Sequence, residues 1–320
     1  MTVAHLFQAG KFAWMNGKIE EVDPRLAIHL PLLSQAVDYA RVVISGMRVT
    51  PHFRDPGKLL IFSLADHVAR LLDSCSRMGL PIPFDAADLQ AAVIEAVRAN
   101  AAVLLPGGYL RAVVYDARPV LAPQSEGPGT VAIFAGPFGE YIPDGDFRCT
   151  LNRQVSVGQR GRTKAAANYV GFSAAKVSAQ ALGLDDALGV MLARGGELII
   201  GEGTTSNAFF VFDSPNGEVK IVTPPLDAGI LAGVTRQRTI EFVRHLGYVV
   251  GEKDVFLDEV ALAREIWLTG TASYVAPFTH LGRHPLKTEV GQRLNTYLRD
   301  VMAGRIGEFA HLNTEVLVRR

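Results

Sequence analysis

Apolar positions recur along the chain with two periods, and each predicts a different kind of element. Residues 64–78 place Val68, Leu71 and Leu72 on one stripe, and residues 85–101 space Leu89, Val93, Ile94 and Val97 the same way. Both segments read as helices with one buried face. Residues 168–182, 234–246 and 288–303 read likewise. Alternation marks the strands. Over 109–115 it puts Tyr109, Arg111, Val113 and Tyr115 on one face, and 130–135 is a second such run. Residues 11–22 predict a hairpin, because Asn16-Gly17 between two short runs suits a turn with two positive φ angles. In the second half, strands at 188–193 and 197–201 flank Arg194-Gly195-Gly196, strands at 209–212 and 219–222 flank 213–217, and another covers 265–268.

The stretch 136–148, GPFGEYIPDGDFR, breaks both periods and reads as a linker, although it carries Phe138 and Tyr141. At roughly 150 residues per domain, 320 residues predict two domains. The expected division is 1–135, the linker 136–148, and 149–320. Composition adds exclusions. With 32 basic and 32 acidic side chains the net charge is zero, which removes the electrostatic drive for nucleic-acid or membrane-surface binding. No apolar run approaches the roughly 18–20 residues of a membrane span, and the start lacks a signal-peptide core. Cys75 and Cys149 form no CxxC pair, and no HExxH spacing is present. A disulfide framework and a metal site are not expected, and a reducing cytoplasm is.

Four stretches carry chemistry. Only eight of the basic residues are lysines, and Lys164 alone precedes Ala165-Ala166-Ala167 and an apolar helix. Burial there would depress its pKa and expose a nucleophilic amine; snorkelling to water is the alternative. Glu202 follows Leu198-Ile199-Ile200 and precedes Ala208-Phe209-Phe210. A carboxylate between apolar strands needs a cationic partner, either an arginine or a protonated pyridine ring. Residues 224–236 form a loop running into a helix at Val234-Thr235, where free N–H groups favour an anion or simply an ordinary cap. Thr269-Gly270-Thr271-Ala272-Ser273 is another turn able to present N–H groups.

Taken in order, Lys164 with Asn168-Tyr169, the run 202–207, Leu231-Ala232-Gly233-Val234-Thr235-Arg236 and Thr269-Gly270-Thr271-Ala272 resemble the class IV (fold-type IV) aminotransferases, most of all the branched-chain amino-acid aminotransferases. Trp14-Met15-Asn16-Gly17, residues 34–39, Gly46-Met47-Arg48 and residues 67–71 extend the similarity over nearly the whole chain. The resemblance implies an α/β (α+β) fold with a smaller mixed N-terminal domain and a larger, cofactor-binding C-terminal pseudo-barrel, and pyridoxal 5′-phosphate as cofactor. It implies an internal aldimine on Lys164, Tyr169 on the phenolic oxygen, Glu202 on the pyridine nitrogen, and Leu231 under the ring. Arg70, Val234, Thr235 and Thr271 would take the phosphate. Tyr39, Ile44, Arg48, Tyr109, Arg111, Phe138, Tyr141 and Ala272 would handle the substrate. The implied reaction is transamination between a branched-chain or other hydrophobic L-amino acid and a 2-oxo acid such as 2-oxoglutarate, in a cytoplasmic homodimer or larger even oligomer.

Three departures bear on specificity. Ile44 stands where the family usually has an aromatic, Phe138 where it has tryptophan, and residues 116–121 replace a glycine- and methionine-containing loop with one carrying Arg118. Arg118 is either solvated or reads a polar substrate group. Relatives with a different outcome, D-amino-acid or amine transaminases and aminodeoxychorismate-type lyases, are the alternatives within the fold; a cofactor-binding scaffold without turnover is the alternative outside it.

Overall fold

The computed structural model describes residues 7–22, 31–121, 128–142, 145–157, 162–193, 195–214 and 217–318, with only the backbone described for 153–157. The expectations placed on the chain start before Phe7, on 143–144 of the linker stretch, on Arg194 and on 215–216 lie outside these residues. The hairpin forms from β1 (Phe12–Met15) and β2 (Lys18–Glu21), with Asn16 at φ 43° and Gly17 at φ 107°. A short helix α1 (Gln35–Asp38) leads to β3 (Val42–Pro51) and β4 (Lys58–Phe62), then to α2 (Leu64–Arg77), α3 (Ala86–Ala99) and α4 (Ala101–Leu104). Next come β5 (Gly108–Tyr115) and β6 (Thr130–Pro137).

These strands join a sheet of order β17-β4-β3-β5-β6-β1-β2, antiparallel throughout, in which β17 (Asn313–Leu317) returns from the far end of the chain to pair with β4. Strand β5 shows why it faces two ways. Leu110, Ala112 and Val114 are buried in a core with Val68, Leu71, Leu89, Val93 and Val97 of α2 and α3. Tyr109, Arg111 and Val113 are only half-buried on the opposite face. The capping box of Asp85 and Asp88 starts α3. The helix expected over 85–101 divides at Asn100, whose side chain bonds both the N–H and the carbonyl of Phe12 and so ties the helix end to β1.

The remaining elements build a second sheet. Strand β7 (Arg148–Val157) runs parallel to β8 (Asp186–Leu192), with α5 (Tyr169–Ala181) between them in sequence. Antiparallel β9 (Leu198–Gly203) and β10 (Asn207–Asp213) follow, then β11 (Val219–Thr223), α6 (Val234–His245) and β12 (Val249–Glu252). Strands β13 (Glu265–Gly270) and β14 (Tyr274–Pro277), the short pair β15 (His280–Leu281) and β16 (His284–Pro285), and α7 (Glu289–Met302) complete it. Strand β10 is the junction. Phe210 lies between Val222 of β11 and Ile266 of β13, while Asn207 lies between Glu202 of β9 and Thr269 of β13. One face of this sheet packs Phe209 and Trp267 against Ile240 and Phe242 of α6 and Leu294 and Leu298 of α7. Among the described residues no helix is long and apolar enough to cross a membrane.

Strands β3, β4, β7, β12, β14, β15, β16 and β17 are not anticipated by the periodicity. In β3 both faces are largely buried, so Val43, Met47 and Val49 in the core are interleaved with Ser45 and Arg48, which are buried as well, and no alternation shows. Strands buried on both faces lose the period-2 signal.

Candidate active site

A cavity of about 580 Å³ opens where the two sheets meet. The register of the first sheet builds one wall: Ile44, Gly46 and Arg48 of β3 lie opposite Val113, Arg111 and Tyr109 of β5. Gly46 leaves the Tyr109 hydroxyl its place there, because a Cβ at that position would overlap it and force the Tyr109 ring to move. Ile44, Tyr109 and Arg111 line the cavity together with Phe7, whose ring meets Tyr109 edge-on at 6.1 Å. The guanidinium of Arg111 makes no hydrogen bond or ion pair among the described residues.

Lys164 projects into this space from a segment pinned at both sides. Its carbonyl accepts from the Ile44 N–H at 3.0 Å, its N–H donates to the Ser74 hydroxyl of α2 at 3.1 Å, and Ala165 bridges to Val43. The Lys164 Nζ donates to the Tyr169 hydroxyl at 2.9 Å. Burial, helped by the Arg70 and Arg111 charges and opposed by Glu202, brings the amine down from 10.5 to about 7. A primary amine in this state is substantially neutral, and therefore nucleophilic, near neutral pH. Tyr169 is shifted the other way, above the ordinary phenol range, chiefly by burial and then by Glu202.

Glu202 stands at the end of β9, buried. Its Oε2 accepts from Asn207 Nδ2 at 3.0 Å and from the Leu231 N–H at 3.3 Å, and it has no ion-pair partner among the described residues. Burial raises its carboxyl from 4.5 to about 7 against the lowering pull of the Leu231 N–H, Lys164 and Arg236. The arginine partner admitted as one explanation of this residue is therefore not bonded to it. Arg236 spends its guanidinium on Thr223, the Pro224 carbonyl and Glu252. Leu231 lines the cavity beside the carboxylate it bonds.

A third corner gathers donors without acceptors. Helix α6 begins after Gly233 with no side-chain cap, and Val234 and Thr235 line the cavity at its amino end. Arg70 reaches in from α2. Its Nη2 lies 3.5 Å from the Ser45 hydroxyl and 3.4 Å from Nδ1 of His67, and its Nε is buried without a partner. The Thr269 hydroxyl is also buried and unpartnered, and Thr271 stands at the same rim. Orphaned donors beside an uncapped helix start are the chemistry of a phosphate seat. With a neutral amine and a buried carboxylate in the same cavity, the residues fit a phosphorylated pyridine aldehyde. His67 stays neutral, its pKa pushed well down by burial and by Arg70, Lys164 and Arg238.

Phe138, Tyr141 and Ala272 also line the cavity; Tyr39 and Arg48 do not. Arg48 is buried beside the wall, its guanidinium 4.7 Å from the Phe138 ring and 4.6 Å from that of Tyr274. It donates to the carbonyls of Phe138 (3.0 Å), Gly139 (3.1 Å), Thr271 (3.3 Å) and Ala272 (2.8 Å). In a trans peptide the C=O and the following N–H point opposite ways, so the N–H groups of Ala272 and Ser273 are turned away from Arg48, where both residues line the cavity. Arg118 is neither a cavity residue nor fully solvated: it forms a fork on Asp116, at 2.9 and 2.6 Å. Tyr39 ends α1, and α1 bonds the loop after β5 through Gln35 to Arg118 O and Ala36 to Asp116 O. Phe7 escapes the sequence reading, and Asn207 and Thr269, named there within longer runs, are given no role of their own. The one available signal was the polar Asn207 at the head of an otherwise apolar strand.

Residues 46–281 match the family model described as amino-transferase class IV. The chain is 30% identical to branched-chain-amino-acid transaminase 1 of Bacillus subtilis (strain 168), covering 88% of this chain and 85% of that one. Among solved structures, the branched-chain aminotransferase of the archaeon Thermoproteus uzoniensis with norvaline superposes with a TM-score of 0.84 at 29% identity, over 96% of this chain and 99% of that one. The branched-chain amino acid aminotransferase of Thermobaculum terrenum in its PLP-bound holo-form gives 0.83 at 26% identity, over 97% and 99%.

Proposed function

The chain belongs to the class IV aminotransferases, enzymes of pyridoxal 5′-phosphate, and from that premise we propose that it moves the amino group of a branched-chain or other hydrophobic L-amino acid to a 2-oxo acid, 2-oxoglutarate among them. The observation that carries this is a single cavity in which a lysine amine brought to about 7, a buried carboxylate without an ion-pair partner among the described residues and an arginine with a buried, unpartnered Nε stand together. Lys164 is the cofactor's covalent attachment point. Arg70, the Val234 and Thr235 N–H groups and the Thr271 hydroxyl take the phosphate, Glu202 the ring nitrogen and Leu231 the ring face. A cationic nitrogen beside Glu202 draws its pKa back down and keeps it ionised. Bound there, pyridoxal 5′-phosphate supplies the electron sink for breaking a bond at the substrate's α carbon.

The chain's own part is orientation and proton handling. Lys164 Nζ, once released, is the base that takes the proton from the substrate's α carbon and would hand it on to the cofactor's aldehyde-derived carbon, held beside both positions by its bond to the Tyr169 hydroxyl. The N–H groups of Ala272 and Ser273 and the unpaired Arg111 take carboxylates, with Tyr109 between the wall strands. Arg48 acts through the turn whose carbonyls it holds. Ile44, Phe138 and Tyr141 shape the side-chain slot, a largely apolar surface of one aliphatic and two aromatic side chains suited to a hydrophobic substrate side chain.

On this proposal residues 1–135 are the small domain, 136–148 the connection and 149–320 the large domain, with β17 reaching back to the first sheet. The protein is then a cytoplasmic homodimer, consistent with two buried free thiols. Leu32, Leu33, Val37 and Leu121 are exposed together with α1 and the loop it bonds. A second copy covering them brings the partner's Tyr39 to the cavity, where the family pattern requires it.

Mixing the loaded enzyme with excess L-leucine and no oxo acid tests the reaction. One equivalent of 4-methyl-2-oxopentanoate and conversion of the cofactor to its amine form are expected; release of pyruvate from an aminodeoxychorismate-type substrate, with neither change from L-leucine, contradicts it.

A further inference from the structure

The two donor sets of the anion corner come from different helices, and neither is locked locally. Arg70 has only long contacts to Ser45 and His67 and an unpartnered Nε. The start of α6 has no side-chain cap. Where these donors sit relative to each other therefore depends on how α2 and α6 are held together. Asp66 lies four residues before Arg70, and Arg238 three residues after Thr235. Such spacings put each pair on one helix face, about one 5.4 Å turn apart. Arg238 joins the helices at this level. Its Nη2 bonds Asp66, its Nη1 bonds both oxygens of Glu241 at 2.9 and 2.8 Å, and its Nε bonds the Ser63 hydroxyl at 3.3 Å. Ser63 precedes α2 in a left-handed conformation at φ 49°, and its N–H is fixed on the Leu312 carbonyl. Neither Arg238 nor Asp66 lines the cavity.

We propose that Arg238 is a positioning residue for the cofactor phosphate: by bridging α6 to Asp66 and Ser63 it sets the spacing between the amino end of α6 and the Arg70 guanidinium. This rests on the assignment of that corner as the phosphate seat. The role needs the branched reach of a guanidinium, which satisfies three partners from one rigid plane, and a lysine cannot reproduce it. It acts on the phosphate and not on the ring.

The test is equilibrium dialysis of the cofactor-free protein against pyridoxal 5′-phosphate and, separately, against pyridoxal, which lacks the phosphate. Arg238→Ala and Asp66→Ala are each expected to weaken the phosphorylated ligand about tenfold or more and to change pyridoxal less than about twofold, with the double variant no worse than the single ones. Arg238→Lys should recover less than half of the loss. Arg70→Ala is the reference. If it too shows no selective loss, the phosphate seat itself is misassigned. If Arg70→Ala is selective while the Arg238 and Asp66 variants lose both ligands equally or neither, the positioning role is overturned. Full recovery by Arg238→Lys overturns it too, by leaving charge alone as the cause. Asp66, 41% exposed, keeps the test available should Arg238→Ala not fold.

Discussion

Lys164 and Glu202 owe their chemistry to the same cause, removal from water, and it acts on them in opposite directions. Glu202 titrates at about 7 in the cofactor-free protein against an ordinary 4.5. The folded state thus holds a proton that the unfolded state has lost, and the stability this group contributes disappears as pH rises from 4.5 towards 7. Lys164 titrates at about 7 against 10.5, so its contribution is complete above 10.5 and disappears as pH falls towards 7. The two together predict a dip in the stability of the cofactor-free protein near pH 7. Urea midpoints across this range, measured as the difference between the wild type and a Lys164→Met/Glu202→Gln variant, should show it; a difference that does not vary with pH contradicts the buried pair. At this scale much was legible. Lys164 stood out because lysines are few and this one faces alanines, and Glu202 because a carboxylate between apolar strands demands a reason. Asn207 and Thr269 were noticed only as parts of longer runs and Arg238 not at all, since their significance lies in partners brought from other elements.

Strand β3 shows what an element adds to its residues. Its register against β5 sets Gly46 under the Tyr109 hydroxyl, and its Arg48 gathers four carbonyls from two loops. Replacing Arg48 by methionine keeps the bulk between Phe138 and Tyr274 but leaves those carbonyls without their donor. A loss of about 2–4 kcal/mol in unfolding free energy is expected. The Thr271–Ala272 peptides are then free to turn, so KM for the amino donor should rise about tenfold or more, with kcat changing less. Lowered thermal stability with an unaltered KM contradicts the account. The sequence concealed this strand because both its faces are buried, and the resemblance placed Arg48 on the substrate itself. The structure instead has it touching the backbone that surrounds the cavity. The helix division at Asn100 was hidden for a related reason: its partner, Phe12, is far away in the chain.

For the whole molecule, the first sheet, the second sheet and the return of β17 bring Lys164, Glu202, Arg70 and Arg111 to a single cavity where the two sheets meet. A chain of zero net charge can concentrate a few charges in this way. The class of fold was legible from the order of helices and strands and from the resemblance; the pairing of β17 with β4 was not, because a link between distant segments leaves no periodic trace. The exposed leucines beside α1 predict a dimer in sedimentation. Leu33→Glu with Leu121→Glu should give monomers with turnover reduced at least about tenfold, since a rim charge at a packed apolar contact costs several kcal/mol; monomers of full activity contradict the partner's contribution. The most direct test of the central claim is borohydride reduction of the loaded enzyme followed by peptide mass mapping. One pyridoxyl-phosphate adduct per chain is predicted, on the peptide bearing Lys164. An adduct on any other lysine, or none at all, contradicts it.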